Sequence, residues 1–442
     1  MPCGVTARTN IRVRRQPAWM LPLVRHVPSI RVLEPVTALV SPPHDLCVAH
    51  LIETNGPGGA ERMLASVATE LQAAGTRNIV IAPAGGEEWL QRELSGSGVQ
   101  VESFRLNRPV SPAFARWLTA LLRRHRVTLA HSHEFTMAVY GSWAAGRAGI
   151  PHLFTMHGGR YYAERLRRRI ALRVAANLSG AVVAVSESLA RHLSRDLWMR
   201  ASRIRTIPNG VRPALGTSSS LRRELALADA TPLVVAVGNL YPVKGHRFLL
   251  EALGLLRTTV PQLHVAIAGR GELEGELRAR AEALGVAERF HLLGLRADVG
   301  NVLAGGDVVV LPSLSEGVPL ALLEAMLAAR PIIATAVGEV PTVLDQGRSG
   351  VLIPPGDAAA LAAALRGLFA DPERGRQLSL AAVTRAKQHY TLARMMERYL
   401  GLYTKLLDDL PVASGTNPPL ESDQIAGGQT AVRGQRTYAR GK

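Results

Sequence analysis

The chain has 442 residues, 47% apolar and 20% charged, with a net charge of +17; that length exceeds one compact core and fits two domains with tails. No apolar stretch, Leu303–Val337 included, runs the length of a bilayer without charge, Pro or Gly, so no transmembrane helix is expected. Cys3 and Cys47 lack metal-ligand or disulfide spacing, and no apolar core with a small-residue cleavage site opens the chain, which points to a reducing cytosol rather than export.

Residues 1–45 carry Pro and Arg without periodicity and read as a disordered leader, with Met20 as an internal start. From Leu46, short apolar runs alternate with helical stretches. Cys47–Glu53, Asn78–Ala82, Val99–Phe104, Thr128–His131, His152–Met156 and Ala181–Val185 read as strands. Helices are expected at Arg62–Ala74, Pro112–His125, Met137–Ala148, Glu164–Asn177 and Ser188–Leu193, which is the rhythm of a parallel sheet covered on both faces. The first domain is placed at 46–210 and a linker at 211–222, where Pro213–Ser220 is polar.

A second series follows in 223–389. Leu233–Val237, His264–Ala268, Phe290–Leu293, Val308–Leu311, Ile332–Thr335 and Gly350–Ile353 read as strands, between helices at Arg247–Leu256, Leu273–Leu284, Val299–Leu303, Leu320–Ala328 and Ala358–Ala370. The fold class is therefore α/β, with two doubly wound parallel sheets and a ligand cleft beyond their strand ends. Two closing helices are expected at Pro372–Gln388 and Leu392–Leu407, with 390–410 packing back on the first domain and 411–442 forming a disordered tail.

The charge is uneven. Residues 1–212 hold 28 Arg against 13 Asp plus Glu, a surplus of 15 that leaves +2 for the remainder. The cluster Arg165, Arg167, Arg168, Arg169 and Arg173 is suited to phosphates of an anionic membrane or a lipid-diphosphate, or is a solvated helix face. No base-stacking or groove-reading motif accompanies it, so a nucleic-acid partner is not expected. Only four Lys occur among 48 Arg, the first being Lys244 in a Gly-flanked loop, where a compact ammonium can meet a phosphate.

The most informative stretch is Glu316-Gly-Val-Pro-Leu-Ala-Leu-Leu-Glu324. Pro319 suits the first turn of a helix whose early N–H groups lack partners, and a carboxylate there can accept bonds from sugar hydroxyls. Glu324 lies further along among apolar neighbours, where a charge needs a partner. Before it come Gly238-Asn239-Leu240-Tyr241-Pro242-Val243-Lys244-Gly245, Gly269-Arg270-Gly271 and Gly294-Leu295-Arg296-Ala297-Asp298, and after it Gly338-Glu339-Val340-Pro341. In the first half stand Gly58-Gly59-Ala60-Glu61-Arg62, His131-Ser132-His133-Glu134, Thr155-Met156-His157-Gly158 and Pro208-Asn209-Gly210.

In that order of motifs, from about Leu46 to Leu407, the chain resembles the retaining GT-B glycosyltransferases of group four, also called glycosyl transferases group 1. The resemblance implies two facing Rossmann-like domains, the N-terminal one for the acceptor and the C-terminal one for a nucleotide sugar. It implies that Lys244 neutralises the diphosphate, that Glu316 binds the transferred sugar with the amides of Gly317, Val318 and Leu320, and that Glu324 binds ribose. Gly269, Arg270, Gly271, Leu295 and Arg296 would border the base, Gly58, Gly59 and Asn239 the diphosphate, and His157 the donor sugar. Catalysis would thus fall to His157, Lys244 and Glu316, and an acceptor-side role to His131, His133 and Glu134. Similar enzymes commonly have Arg at Asn239 and Glu at Thr342.

No Asp-x-Asp pair occurs, and His131 and His133 share a strand face without a third ligand, so neither a metal nor another cofactor is expected. The implied activity is transfer, with retention, to a glycan or lipid-linked acceptor in bacterial polysaccharide or glycolipid synthesis. The implied place is the cytoplasm or the inner face of the plasma membrane. Two other readings stay open, a sugar-nucleotide epimerase or hydrolase of the same fold and a non-catalytic donor-binding subunit of a polysaccharide assembly complex. A dinucleotide oxidoreductase is disfavoured because Gly56-Pro57-Gly58-Gly59 breaks the Gly-x-Gly-x-x-Gly spacing.

Overall fold

A computed structural model of the chain describes residues 43, 45–85, 88–158, 161–213 and 218–409. Cys3, Met20, the expected tail 411–442 and nearly all of the expected leader lie outside these residues. No described helix is long and apolar enough to cross a membrane.

The first sheet has seven parallel strands, β1 (Cys47–Leu51), β2 (Arg77–Pro83), β3 (Gln100–Phe104), β4 (Leu129–His133), β5 (His152–Met156), β6 (Ala181–Ala184) and β7 (Ile204–Thr206), in the order β3-β2-β1-β4-β5-β6-β7. The second has six, β8 (Leu233–Val237), β9 (His264–Ala268), β10 (Phe290–Leu292), β11 (Val308–Leu311), β12 (Ile332–Thr335) and β13 (Val351–Ile353), in the order β10-β9-β8-β11-β12-β13. All registered pairs in both sheets are parallel. Both orders reverse direction beside the first strand of their sheet, and that reversal opens a crevice at the strand ends.

The strands are near-continuous apolar runs because helices cover both sheet faces. In β8, Val234 and Ala236 enter one core with Leu249, Leu253 and Ile267, while Leu233 and Val235 enter the other with Leu303, Val309 and Met326. The closing helix Leu392–Asp408 crosses back to the first sheet. Its Met396, Tyr399 and Tyr403 pack on Val48, Leu129, Leu153 and Val183, and each such side chain contributes roughly 1.5–3 kcal/mol on burial. The two points where the chain passes between the sheets are tied together, since Val211 N–H donates to Tyr390 O at 3.0 Å and Leu392 N–H to Val211 O at 3.0 Å.

Three local features depart from the sequence reading. The strand at His131 continues to His133, and Glu134, at φ +65°, turns the chain straight into the helix Glu134–Ala148. Ile204–Thr206 is a seventh strand. The expected linker 211–222 overlaps the helix Ser218–Glu224, which is docked rather than free: Leu221 is fully buried, and buried Arg222 pairs with Asp307 at 2.7 Å. Two anchoring side chains thus override the loop-like propensity of the serine run beside them.

Candidate functional site

Loops that follow strands of both sheets line one cleft of about 360 Å³. Pro57–Ala60, His157 and Asn209 come from the first sheet; Val237–Asn239, Ala268, Gly269 and Leu311–Ser313 come from the second. Three helices begin at its wall, Gly59–Ala73, His246–Leu256 and Leu320–Leu327, and their N-caps Gly58, Gly245 and Pro319 supply no side-chain hydrogen bond. Helices starting after Ser111, Ser186, Asp357, Asp371 and Thr391 are capped by those side chains. The uncapped ends therefore leave first-turn N–H groups, and the positive ends of three helix dipoles, for an anion in the cleft.

The cation and the first carboxylate are partners. Lys244 Nζ donates to Glu316 Oε1 at 2.7 Å, and Ser313 Oγ donates to the same oxygen at 2.7 Å. The Glu316 side chain is 9% exposed and that of Lys244 29%, so the carboxylate is nearly enclosed while the ammonium reaches the open cleft. Both bonds fall on Oε1, and among the described residues Oε2 accepts none. Glu324 lines the cleft from the second turn of the helix Leu320–Leu327 that follows, its carboxyl raised by desolvation and pulled back by the charge of Arg62.

His157 lines the same cleft from the end of β5. Its backbone N–H donates to Glu134 Oε1 at 2.9 Å, and its Nε2 lies 3.1 Å from His133 Nδ1. Burial lowers the His157 ring to about 4, so near neutral pH it is an uncharged donor or acceptor. Desolvation lifts Glu134 to about 8 against the lowering from the His157 amide, and a mostly protonated acid holds the loop. His131, His133 and Glu134 are absent from the cleft wall. His131 is closed off, with Nδ1 2.7 Å from the Tyr403 hydroxyl and Nε2 2.8 Å from Thr155 Oγ1.

The sequence reading found no third imidazole beside His131 and His133. His50 supplies one, because β1 pairs with β4 in a register that sets His50 opposite His131. Their ligating atoms lie within 4.8 Å of one another. Both His131 nitrogens are engaged, which leaves His50 and His133 Nε2 as the positions without hydrogen-bond partners among the described residues.

Sequence profiles match both halves: Glycosyltransferase Family 4 over residues 57–215 and Glycosyl transferases group 1 over 231–371. An Escherichia coli UDP-Gal:alpha-D-GlcNAc-diphosphoundecaprenol alpha-1,3-galactosyltransferase is 28% identical over 251 residues, covering 53% of this chain and 65% of that protein. A D-inositol 3-phosphate glycosyltransferase of Thermomonospora curvata is 30% identical over 306 residues, covering 62% of this chain and 71% of the relative. The chain belongs to the group 1 glycosyltransferases of family 4. The chain spans about two thirds of the length of these curated relatives. The Anabaena protein HepE, solved in complex with UDP-glucose, shares the GT-B fold at a TM-score of 0.71 and 24% identity, covering 81% of this chain and 100% of HepE.

Of the residues expected to meet the donor in this glycosyltransferase, Gly58, Gly59, Asn239, Gly269, Leu295, Arg296, Gly317, Val318, Leu320 and Glu324 line the cleft, whereas Arg270 and Gly271 do not. The Gly269 and Gly271 turn has a packing reason: a Cβ on either would strike the carbonyl oxygen of Gly238 or Leu240 in the neighbouring loop. Arg296 is held at the rim by Asp298 at 2.7 Å and Glu224 at 2.6 Å. Thr342 is also absent from the wall, and its carbonyl accepts from Arg385 at 2.8 Å.

Sequence reasoning passed over Arg62, His246 and Ser313. Each had a local signal: Arg62 ends the Gly-Gly-Ala-Glu-Arg run, His246 follows Lys244-Gly245, and Ser313 stands three residues before Glu316. His246 is lowered to about 4, mainly by burial, and as a neutral ring its Nε2–H donates to Gly238 O at 3.1 Å, fixing the loop before Lys244. Across the cleft, Glu339 Oε1 accepts from Ser188 N at 3.0 Å and Asn209 Nδ2 donates to Val318 O at 3.4 Å.

Gly338 sits behind Glu316 at φ +52°, where a Cβ would collide with the Glu316 carbonyl. Gly338→Ala is expected to cost about 2–4 kcal/mol through strain and clash together. Urea unfolding checks this, and a midpoint unchanged from wild type would contradict it.

Proposed function

We propose that this glycosyltransferase moves a sugar from a nucleotide sugar to a glycan or lipid-linked acceptor with retention of anomeric configuration, in bacterial polysaccharide or glycolipid synthesis at the cytoplasmic side of the membrane. The observation that carries the reading is the Lys244–Glu316–Ser313 network set among three uncapped helix ends in the interdomain cleft. A sugar diphosphate has the two properties this wall answers, a multiply charged leaving group and a ring of hydroxyls. The names of the relatives support the substrate class, one being a galactosyltransferase named for UDP-Gal and a lipid diphosphate and another for an inositol phosphate acceptor.

The bond between the anomeric carbon and the diphosphate oxygen breaks as the acceptor hydroxyl oxygen bonds to that carbon from the same face. The hydroxyl proton passes to the departing diphosphate. Charge grows on the diphosphate as the sugar becomes oxocarbenium-like, so preorganised positive groups act most strongly in the transition state. Lys244 and the helix ends occupy that role, Glu316 Oε2 holds sugar hydroxyls, and Glu324 holds the ribose. His157, being neutral, donates a hydrogen bond to the sugar or its phosphate and is no covalent nucleophile. Asn239 contributes no charge, which concentrates the phosphate load on Lys244.

The test is nucleoside diphosphate release by the full chain across a panel of nucleotide sugars, with and without lipid and glycan acceptors, beside Glu316→Gln. Release that requires an acceptor and falls at least about 10²-fold in Glu316→Gln is expected. Equal release without any acceptor would replace transfer by hydrolysis or epimerisation. Donor binding with no release under any acceptor would make the chain a binding subunit.

A further inference from the structure

Solvent-facing helix residues are ordinarily polar, and the helix Leu166–Leu178 reverses this. Leu172, Ala175 and Ala176 face the core, while on the opposite side Leu166, Ile170, Val174 and Leu178 are 60%, 50%, 52% and 59% exposed. They recur every four residues, so they form one ridge about 18 Å long. With its N-cap Arg165 the helix carries five arginines and no acid. Arg165 and Arg167 are exposed and have no partner among the described residues. Arg169 lies over the ring of Trp198 at 4.4 Å, and that indole is itself 54% exposed beside the helix.

We propose that this face docks on an anionic lipid surface, with the four aliphatic side chains and Trp198 entering the headgroup boundary and the exposed Arg165 and Arg167 meeting lipid phosphates, while Arg168 pairs with Glu164 and Arg173 donates to the Trp198 carbonyl. The charge selects the occupant. A second copy would bring ten arginines together against only two acids, the Glu164 beside each helix start, which already pairs with Arg168 at 2.6 Å. The terminal segments of the chain are also unsuited, since residues 1–42 hold six Arg and one Glu, and 410–442 hold four basic and two acidic residues. An anionic bilayer supplies both the apolar layer and the opposite charge. The helix begins eight residues after Gly158, which abuts Gly317 at the cleft, so the two lie within about 27 Å along the chain. A membrane on this face would therefore present lipid-linked acceptors near the cleft, a consequence that rests on the proposed function, whereas the docking itself does not.

The test is co-sedimentation of the full chain with phosphatidylglycerol–phosphatidylethanolamine vesicles and with phosphatidylcholine vesicles, alongside light scattering for oligomeric state. Binding at least tenfold tighter to the anionic vesicles is expected, weakening in 0.5 M salt as phosphate contacts are screened. Ile170→Ser with Val174→Ser, and separately Arg165→Gln with Arg167→Gln, should each weaken it tenfold or more. These residues are exposed, so the variants should keep the wild-type melting temperature and donor turnover on a water-soluble acceptor. The proposal is overturned if wild type ignores anionic vesicles, if the serine pair binds them like wild type, or if a wild-type dimer dissociates in the serine pair. Vesicle binding is read without turnover, so a chain that binds vesicles yet never releases nucleotide would sink the enzymatic reading and leave this one standing.

Discussion

Lys244→Ala should lower kcat by about 10²–10³ with a smaller change in donor KM, the loss typical of removing one preorganised donor from a developing anion. Glu316 Oε1 accepts from Lys244 Nζ at 2.7 Å and from Ser313 Oγ at 2.7 Å. An ammonium already held by a nearly enclosed carboxylate costs no reorganisation when charge builds on the departing diphosphate. Its truncation removes that charge and leaves Glu316 with the serine alone, repelling the anion it formerly helped to seat. Lys244→Arg should recover little, because a planar fork does not fit the point-like position shared by Glu316 and Ser313. Asn239 lines the same wall without charge, so Asn239→Arg placed on Lys244→Ala should restore part of the rate. Steady-state nucleoside diphosphate release measures all three. A Lys244→Ala kcat within threefold of wild type would remove Lys244 from the chemistry.

The fold was legible where apolar runs declare both their length and their surroundings. Leu233–Val237 could only be a strand covered on both faces, and the run from Val308 into Glu316 announced a strand-to-helix turn. Ile204–Thr206 gave no such signal, being three residues long with an exposed arginine at its centre. Contacts made across the sheets were also silent. Lys244 and Glu316 were each legible as site residues, yet their pairing spans 72 positions and emerges only when β8 and β11 lie side by side. His50 stands 81 residues before His131 and meets it through the β1–β4 register. The ridge on Leu166–Leu178 was hidden differently: its arginines stood out as charge, while the exposure of the aliphatic residues between them depends on which helix side the core claims.

Acidification from pH 7 to 5.5 should lower the melting temperature by more than 10 °C, and the main cause lies in the six most deeply buried imidazoles, held neutral in the fold. Burial lowers His50 and His152 to about 3, His157 and His246 to about 4, and His131 and His133 well below the ordinary value. In the unfolded chain all six take up a proton near 6.5, so below that pH the unfolded state binds more protons and stability falls with falling pH. Each group removes about 1.2 kcal/mol across this interval, about 7 kcal/mol for six. Glu134 works in the opposite direction. Its folded value near 8 lies above that of the unfolded carboxyl, so lowering the pH through this window stabilises the fold by about 2 kcal/mol. The net loss of about 5 kcal/mol is a large share of the 5–15 kcal/mol by which domains are stable. His50 gives the sharpest check, because both its nitrogens are fully buried with no hydrogen-bond partner among the described residues. His50→Leu removes one proton from the slope and relieves that desolvation, so it should melt higher than wild type at pH 5.5 by more than it does at pH 7. Calorimetry at the two pH values decides it: a wild-type midpoint that stays level would mean that these rings do not remain neutral in the folded chain.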